Sequence, residues 1–320
     1  MMPATDSRPA SPVTPSAERQ AAFMAGAPLP EEAELVLDTF SARIEPIDRS
    51  RVGLLHELSV GVFWPHRPRD LELFVDLGQG YIALDAIGRP LGSSMYFPVA
   101  DNFAMLGMMV TTPRLQSLGA GRRLLQHIMQ DCAGRDLRLS ATRSGYRLYV
   151  AAGFDPVGLI WQHQGIARPF RAPEPFSGLT IRPLEPEDHA ALMALDAHAY
   201  GATRTKVMDA LLAVSNGVVA ERGGAICGYA LRRSFGKGEL IGPVVAEDDA
   251  TAMRLVAPLI QACEGKFTRM DTPQQSEPFK AFLAAAGLGV FDTVTEMYLG
   301  RQRRAEDGPL TYGLAAHSLG

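Results

Sequence analysis

Residues 106–129, LGMMVTTPRLQSLGAGRRLLQHIM, constrain the fold more than any other stretch of this 320-residue chain. Residues 106–111 read as a strand, Thr112 and Pro113 mark a turn, residues 116–121 form a glycine-bearing loop, and Leu124, Leu125, Ile128 and Met129 recur on one face of a helix. A strand that runs through such a loop into a helix N-terminus makes an anion site. The first helical N–H groups lack intrahelical partners, and the macrodipole puts partial positive charge there. Gly119 and Gly121 let backbone and ligand approach closely, and Arg122 and Arg123 add charge beside them. Two common phosphate loops do not fit. No Lys-Ser or Lys-Thr follows the glycines as in a P-loop, and the third glycine of a dinucleotide fingerprint is absent.

The rest of the chain bounds what such a site can belong to. Its length suits two domains, and 47% apolar residues support full cores. A net charge of -4 gives no sign of nucleic-acid binding. Cys132, Cys227 and Cys263 match neither a metal spacing nor a disulfide framework, which points to a reduced, cytoplasmic protein. No apolar run approaches the roughly 20 residues that span a bilayer, and the N-terminus lacks the layout of a signal peptide.

Residues 1–30, rich in Pro, Ala and Ser, are expected to be a disordered tail. Residues 31–40 suggest a short helix. A strand over 43–47 follows, then a helix capped by Asp48 with Val52, Leu55 and Leu58 on one buried face. Residues 64–68, WPHRP, read as loop. Residues 81–86 and 91–97 form a hairpin that leads into the strand of the anion motif. After the motif helix come a strand over 138–142, a short helix over 145–152 carrying Tyr149, and a strand or hairpin over 154–165. The order β-α-β-β-β-α-β-α-β is α+β, with a mixed, mainly antiparallel sheet.

The spacing Gln116-x-x-Gly119-x-Gly121, with Pro113 just upstream, resembles the coenzyme A pyrophosphate loop of the GNAT superfamily of N-acetyltransferases. Leu148, Tyr149, Gly153 and Phe154 resemble that family's LYxxxGF segment, one helix and one strand downstream. The resemblance spans about residues 43–165. It implies a catalytic domain over 31–165, acetyl-CoA as co-substrate, no metal ion, and a primary amine, of a small molecule, as acceptor. Backbone groups of Met109, Val110 and Thr111 would pair with the pantetheine arm. The diphosphate would lie on the N–H groups of Ser117, Leu118, Gly119, Ala120, Gly121 and Arg122, and Gln116, which opens the loop, would also belong to the cofactor-binding set. A backbone N–H near Met109 would stabilise the oxyanion, and Tyr149 would protonate the departing thiolate. Thr142 stands where many members carry an asparagine on the pantetheine arm. Glu57, His66, Asp101 and His163 lie on segments able to face the cleft, but a solvated surface is the plainer reading for each, so no general base is assigned. His56 and Asp85 read as structural.

Residues 166–178 read as a proline-rich linker, and the chain then repeats itself over 179–300. Thr180-Ile181-Arg182-Pro183-Leu184 mirrors Arg43-Ile44-Glu45-Pro46-Ile47, and Gly217-Val218-Val219-Ala220 mirrors Gly80-Tyr81-Ile82-Ala83, both 137 positions later. The copy lacks the chemistry. Ala246-Glu247-Asp248-Asp249-Ala250 replaces the glycine loop with three carboxylates, which would repel a diphosphate. Aligning Gly287 with Gly153 puts Leu283 where Tyr149 stands. This second GNAT-like domain is therefore expected to be degenerate, completing the fold or one wall of the acceptor pocket. Residues 301–320 are expected to pack back on the body as an apolar, patterned segment. The alternative to an enzyme is a non-catalytic acyl-CoA sensor, against which Tyr149 speaks, because a sensor has no use for an acid aimed at sulfur. Neither nucleic acid nor membrane is expected as a partner, and monomer and homodimer are equally compatible with the chain.

Overall fold

A computed structural model describes residues 15–27, 34–37, 40–100, 102–112 and 119–320. Its first half contains α1 (Ser16–Met24), β1 (Glu34–Leu37), β2 (Phe40–Pro46), α2 (Val52–Gly61), α3 (Pro68–Leu77), β3 (Gln79–Leu84), β4 (Pro90–Val99), β5 (Phe103–Thr111), α4 (Ala120–Asp131), β6 (Asp136–Ala141), α5 (Tyr146–Ala151) and β7 (Asp155–Ile166). The second half follows the same order: β8 (Thr180–Pro183), α6 (His189–Tyr200), α7 (Thr205–Ala213), β9 (Ser215–Arg222), β10 (Ala225–Phe235), β11 (Gly238–Ala246), α8 (Asp249–Gln261), β12 (Phe267–Thr272), α9 (Glu277–Ala285) and β13 (Gly289–Leu299). A last strand, β14 (Leu310–Gly313), has no counterpart in the first half.

All described strands join one sheet in the order β1-β2-β3-β4-β5-β6-β13-β7-β12-β11-β10-β9-β8, with β14 paired to β11. Pairing is antiparallel except for β5 with β6 and β11 with β12. Residues 167–178 connect β7 to β8 but do not divide the sheet. The last strand of each half has changed places: β13 pairs with β6 of the first half, and β7 pairs with β12 of the second. The two exchanged strands run antiparallel to each other at the centre.

Three large apolar clusters follow from this layout. One lies under α4 and α5, with Leu125, Ile128, Met129, Tyr149 and Phe154. Its counterpart lies under α8 and α9, with Leu255, Ile260, Phe279 and Leu283. The third is shared, joining Leu55, Leu71 and Phe74 of α2 and α3 to Leu192, Met208 and Leu211 of α6 and α7. Ala315, Ala316 and Leu319 from the C-terminus insert into this shared core.

Several local expectations are corrected. Residues 34–37 are strand rather than helix; a four-residue run ELVL paired along β2 gains ladder hydrogen bonds that an isolated short helix could not match. The expected tail contains α1, a helix too short to hold alone. Phe23 is buried against the α4 layer, and Arg19 donates to the carbonyls of Val150 (2.9 Å), Gly153 and Phe154 at the end of α5. The WPHRP segment is loop only as far as Arg67. Pro68 opens α3, where a proline's missing N–H is harmless, and Asp70 accepts from the N–H of Arg67 at 2.8 Å. Asp48 caps a 3-10 turn (Arg49–Arg51) through the N–H of Ser50 at 2.7 Å, and α2 continues from it.

Candidate functional site

The site begins where β5 and β6 part. Their parallel ladder runs from Phe103↔Asp136 to Leu106↔Leu139 and then stops, so beyond Leu106 this edge of β5 has no strand beside it among the described residues. A bulge sharpens the break. Ser93 faces Val110 and Met95 faces Gly107, leaving one extra residue on β5. Met108 takes the strain with φ +48, and the Ser93 hydroxyl holds its carbonyl at 2.8 Å. Met109 borders the opening, the Val110 side chain turns into the shared core, and Thr111 ends the strand against α4.

The N-terminus of α4 lies beside the end of β5, where a Cβ on Gly121 would meet Leu148, Thr111 and Met109 at 3.5–3.8 Å. Gly119 is the N-cap of α4 at φ +83, a left-handed conformation suited to glycine, and it has no side chain with which to cap the helix. Ala120 is buried as the first helical residue, and the earliest intrahelical bond is Arg123 N–H to Gly119 O at 3.1 Å. The N–H groups of Ala120, Gly121 and Arg122 therefore precede the ladder, as an anion site requires. Gln116, Ser117 and Leu118 lie outside the described residues, as does Pro113. The arginine side chains are not where the expectation put them. Arg122 donates to the carbonyls of Ala22 (3.2 Å) and Phe23 (2.5 Å) and lies 4.4 Å over the Phe23 ring, while Arg123 donates to Gly26 O at 2.6 Å. Both guanidiniums cap the carbonyl end of α1, where positive charge complements the helix dipole.

A cavity of about 780 Å³ opens from the parted strands and is walled by both halves. Tyr149 stands on its wall, 7% exposed, its ring 5.9 Å from Phe154, and burial pushes its phenol above the usual value, so it is protonated at neutral pH. Thr142 lines the cavity too, its hydroxyl 3.0 Å from that of Ser144 and accepting from the N–H of Gly145 at 3.4 Å. Opposite stand groups that the sequence did not single out. His317 and Ser318 of the C-terminal segment reach the cavity, and a Cβ on Gly107 would collide with Ser318. The His317 ring lies 3.3 Å from Asp271 and within 3.4 Å of Gln162 and Arg269. Burial pushes its imidazole down to about 4 against the pull of Asp271, with Arg269 adding to the fall. Burial alone would raise the Asp271 carboxyl, but Arg269, paired to it at 2.8 Å, and His317 hold it below the ordinary value.

The other basic candidates divide. His66 also lines the cavity, half-buried rather than on a solvated surface; desolvation, with Arg269 and His317 nearby, takes it down to about 3. Its Nδ1 lies 2.9 Å from the Ser59 hydroxyl. His163 is wholly buried on β7, bonded to Leu288 O at 3.0 Å. Glu57 does not border the cavity, and Asp101 lies outside the described residues. Among the described residues, no three of His, Cys, Asp and Glu converge as a metal site, and no helix is long and apolar enough to cross a membrane.

The second half has the same parting of strands, already filled. β11 and β12 pair only at Glu239↔Thr268 and Leu240↔Arg269, and β14 then enters beside β11, matching Val244 with Gly313 and Ala246 with Leu310. Leu314 N–H donates to Asp271 O at 2.8 Å on the other side. At the helix behind, the Asp248 carboxylate accepts from the N–H of Thr251 at 2.7 Å, and Asp249 accepts from the Tyr312 hydroxyl at 2.8 Å. The protein's own strand and carboxylates thus occupy the places left open in the first half.

Residues 52–154 match the Acetyltransferase (GNAT) family, and residues 192–313 match an Acetyltransferase (GNAT) domain. The chain is 23% identical over 261 residues to a Bacillus subtilis protein described as uncharacterized N-acetyltransferase YitH, covering 80% of this chain and 91% of that one. Among solved structures it is similar to a Pyrococcus horikoshii protein assigned as an acetyltransferase, with TM-score 0.73, 18% identity, and 89% and 98% of the two chains covered. It is also similar to a tandem GNAT protein from the clavulanic acid biosynthesis pathway, with TM-score 0.58, 15% identity, and 82% and 99% covered.

Proposed function

The chain belongs to the GNAT superfamily of N-acetyltransferases and carries two such domains in tandem; from that premise we propose that it moves an acetyl group from acetyl-CoA to a primary amine of a small molecule, at one site in the first half. The observation that carries this reading is the parting of β5 and β6 beside a glycine-capped α4 N-terminus, with a cavity at Met108 and Met109 that has Tyr149 on its wall. The diphosphate rests on the first N–H groups of α4, and the pantetheine arm lies along the free edge of β5 as an added strand would. The thioester carbonyl then reaches the bulge at Met108 and Met109, where a backbone N–H stabilises the oxyanion.

The amine nitrogen attacks the carbonyl carbon and forms the C–N bond. As the tetrahedral intermediate collapses, the C–S bond breaks, the electron pair leaves with sulfur, and the Tyr149 hydroxyl delivers a proton to it. The proton lost by the nitrogen goes to the neutral imidazole of His317, with the Asp271 carboxylate beside it to stabilise the imidazolium. Water between turnovers returns the proton balance.

Rate profiles from pH 6 to 10 test both roles. Tyr149→Phe lowers kcat by about 100-fold, the usual size of one general acid, and leaves the KM for acetyl-CoA unchanged. His317→Gln lowers kcat/KM by a similar factor from pH 6 to about 9, because an imidazole held down to about 4 is neutral and able to accept the proton across that range, and added imidazole buffer restores part of the loss. Full turnover by Tyr149→Phe at neutral and alkaline pH contradicts the acid role. Unchanged kcat/KM in His317→Gln contradicts the base role.

A further inference from the structure

This inference rests on the acetyl-transfer reading and concerns the amine. Two phenyl rings stand on the rim of the cavity, one from each half, and neither is covered: Phe63 is 96% exposed and Phe291 68%. Exposed apolar side chains are common singly, but a pair at one opening marks a binding surface. Both are held by irregular backbone. Phe63 follows the end of α2 with φ +60, a conformation that is costly for a bulky residue. Phe291 is the extra residue of a bulge on β13, between Val290 opposite His163 and Asp292 opposite Gln162.

The lining continues the theme inward. The His66 ring meets Trp64 at 5.7 Å and Phe235 at 5.6 Å, both edge-on, and His66 carries no charge at neutral pH. The fixed charges balance: Arg67, Lys237 and Arg269 on one side, Glu239, Asp271 and Asp292 on the other. A site for a polycation carries an excess of carboxylates, and a site for a polyanion an excess of cations. This cavity has neither, and its size suits a small molecule in addition to the end of the pantetheine arm.

We propose that the acceptor is a primary amine bearing one aromatic or similarly flat apolar group, held between Phe63 and Phe291 with its nitrogen directed inward to Tyr149 and His317. Flat rings stack or meet edge-on with phenyl groups and remove their apolar faces from water, a gain that a hydroxyl or a second ammonium between the same two rings does not bring.

The test is steady-state acetylation of 2-phenylethylamine, tryptamine, ethanolamine and spermidine by the full chain, with CoA titrated calorimetrically in parallel. The aromatic amines are expected to exceed the other two by at least about tenfold in kcat/KM, and Phe63→Ala and Phe291→Ala each to raise the KM for 2-phenylethylamine about tenfold while the KM for acetyl-CoA stays unchanged. Preference for ethanolamine or spermidine overturns the inference, as does an amine KM that neither substitution moves. Binding of CoA without acetylation of any of the four overturns it as well. If light scattering shows a dimer that both substitutions dissolve at constant KM, the phenyls are a self-association surface and the inference fails. Absence of CoA binding in the unaltered chain strikes the acetyl-transfer reading beneath it.

Discussion

Tyr149, His66 and His317 face one cavity, and burial is the first cause of the protonation state of each. For the histidines this has a consequence for stability. An unfolded histidine takes its proton near pH 6.5, whereas His66 is held down to about 3 and His317 to about 4. His163, lowered by burial, adds in the same direction. Between these values the unfolded chain binds more protons than the folded one, so stability is fully present above pH 6.5 and is lost as the pH falls toward 4. Asp271 and Glu296, held low by Arg269 and Arg304 against the effect of burial, give up their contribution only below the ordinary carboxylate range. The slope between pH 6.5 and 5 therefore belongs to the histidines. Scanning calorimetry should show Tm falling across that interval, and less steeply in His317→Gln; a Tm that is flat or rises on acidification contradicts the burial account. Tyr149 was legible in the sequence because it sits in a short segment with neighbours of its own. His317, Asp271 and Gln162 were not, because they are 155 positions apart at the extremes and meet only through the pairing of β7 with β12 and the return of β14.

At the scale of elements, the two halves pose one question twice and answer it differently. Each has a strand that parts from its parallel neighbour and a helix whose N-terminus faces the gap. In the first half the N-cap is Gly119, which has no side chain to offer; in the second Asp248 caps α8 with its own carboxylate, and β14 fills the gap. The expectation that acidic residues would repel a diphosphate is thus refined, since Asp248 takes the N–H group that a phosphate would use. Gly119→Asp should transfer the device. Among the described residues a Cβ there meets nothing within 4 Å, and aspartate tolerates the left-handed region better than most residues, so the strain of φ +83 should lower Tm modestly without unfolding the chain. The affinity for CoA should fall by at least about tenfold in protein that calorimetry shows to be folded; unaltered CoA affinity contradicts the anion site. Periodicity showed α2, α4 and the paired strands of the meander because their apolar faces repeat locally. It missed α1 and α3: α1 depends on Arg122, Arg123 and Gln126 taking its terminal carbonyls, and α3 hides behind Pro68.

At the scale of the molecule, the duplication was readable as an offset of 137 positions, but the exchange of β7 and β13 was not. Neighbour choice among strands of similar pattern is decided by where the chain can reach, and nothing in either strand's own residues records it. The exchange puts strands of both halves at the cavity, and the C-terminus completes it. Arg204 grips Asp196 through two bonds of 2.8 Å and donates to the main-chain oxygens of Leu319 and Gly320 at 2.8 and 2.9 Å. Buried as it is, this clamp fixes the segment that carries His317, so the second half serves the first as wall and support. On the acetyl-transfer reading we propose, one half is open to CoA and the other is closed by its own chain. Calorimetric titration of the 320-residue chain with CoA is the decisive measurement. The account predicts one equivalent bound per chain, weakened by Gly119→Asp; two equivalents per chain, or one that Gly119→Asp leaves untouched, would contradict it.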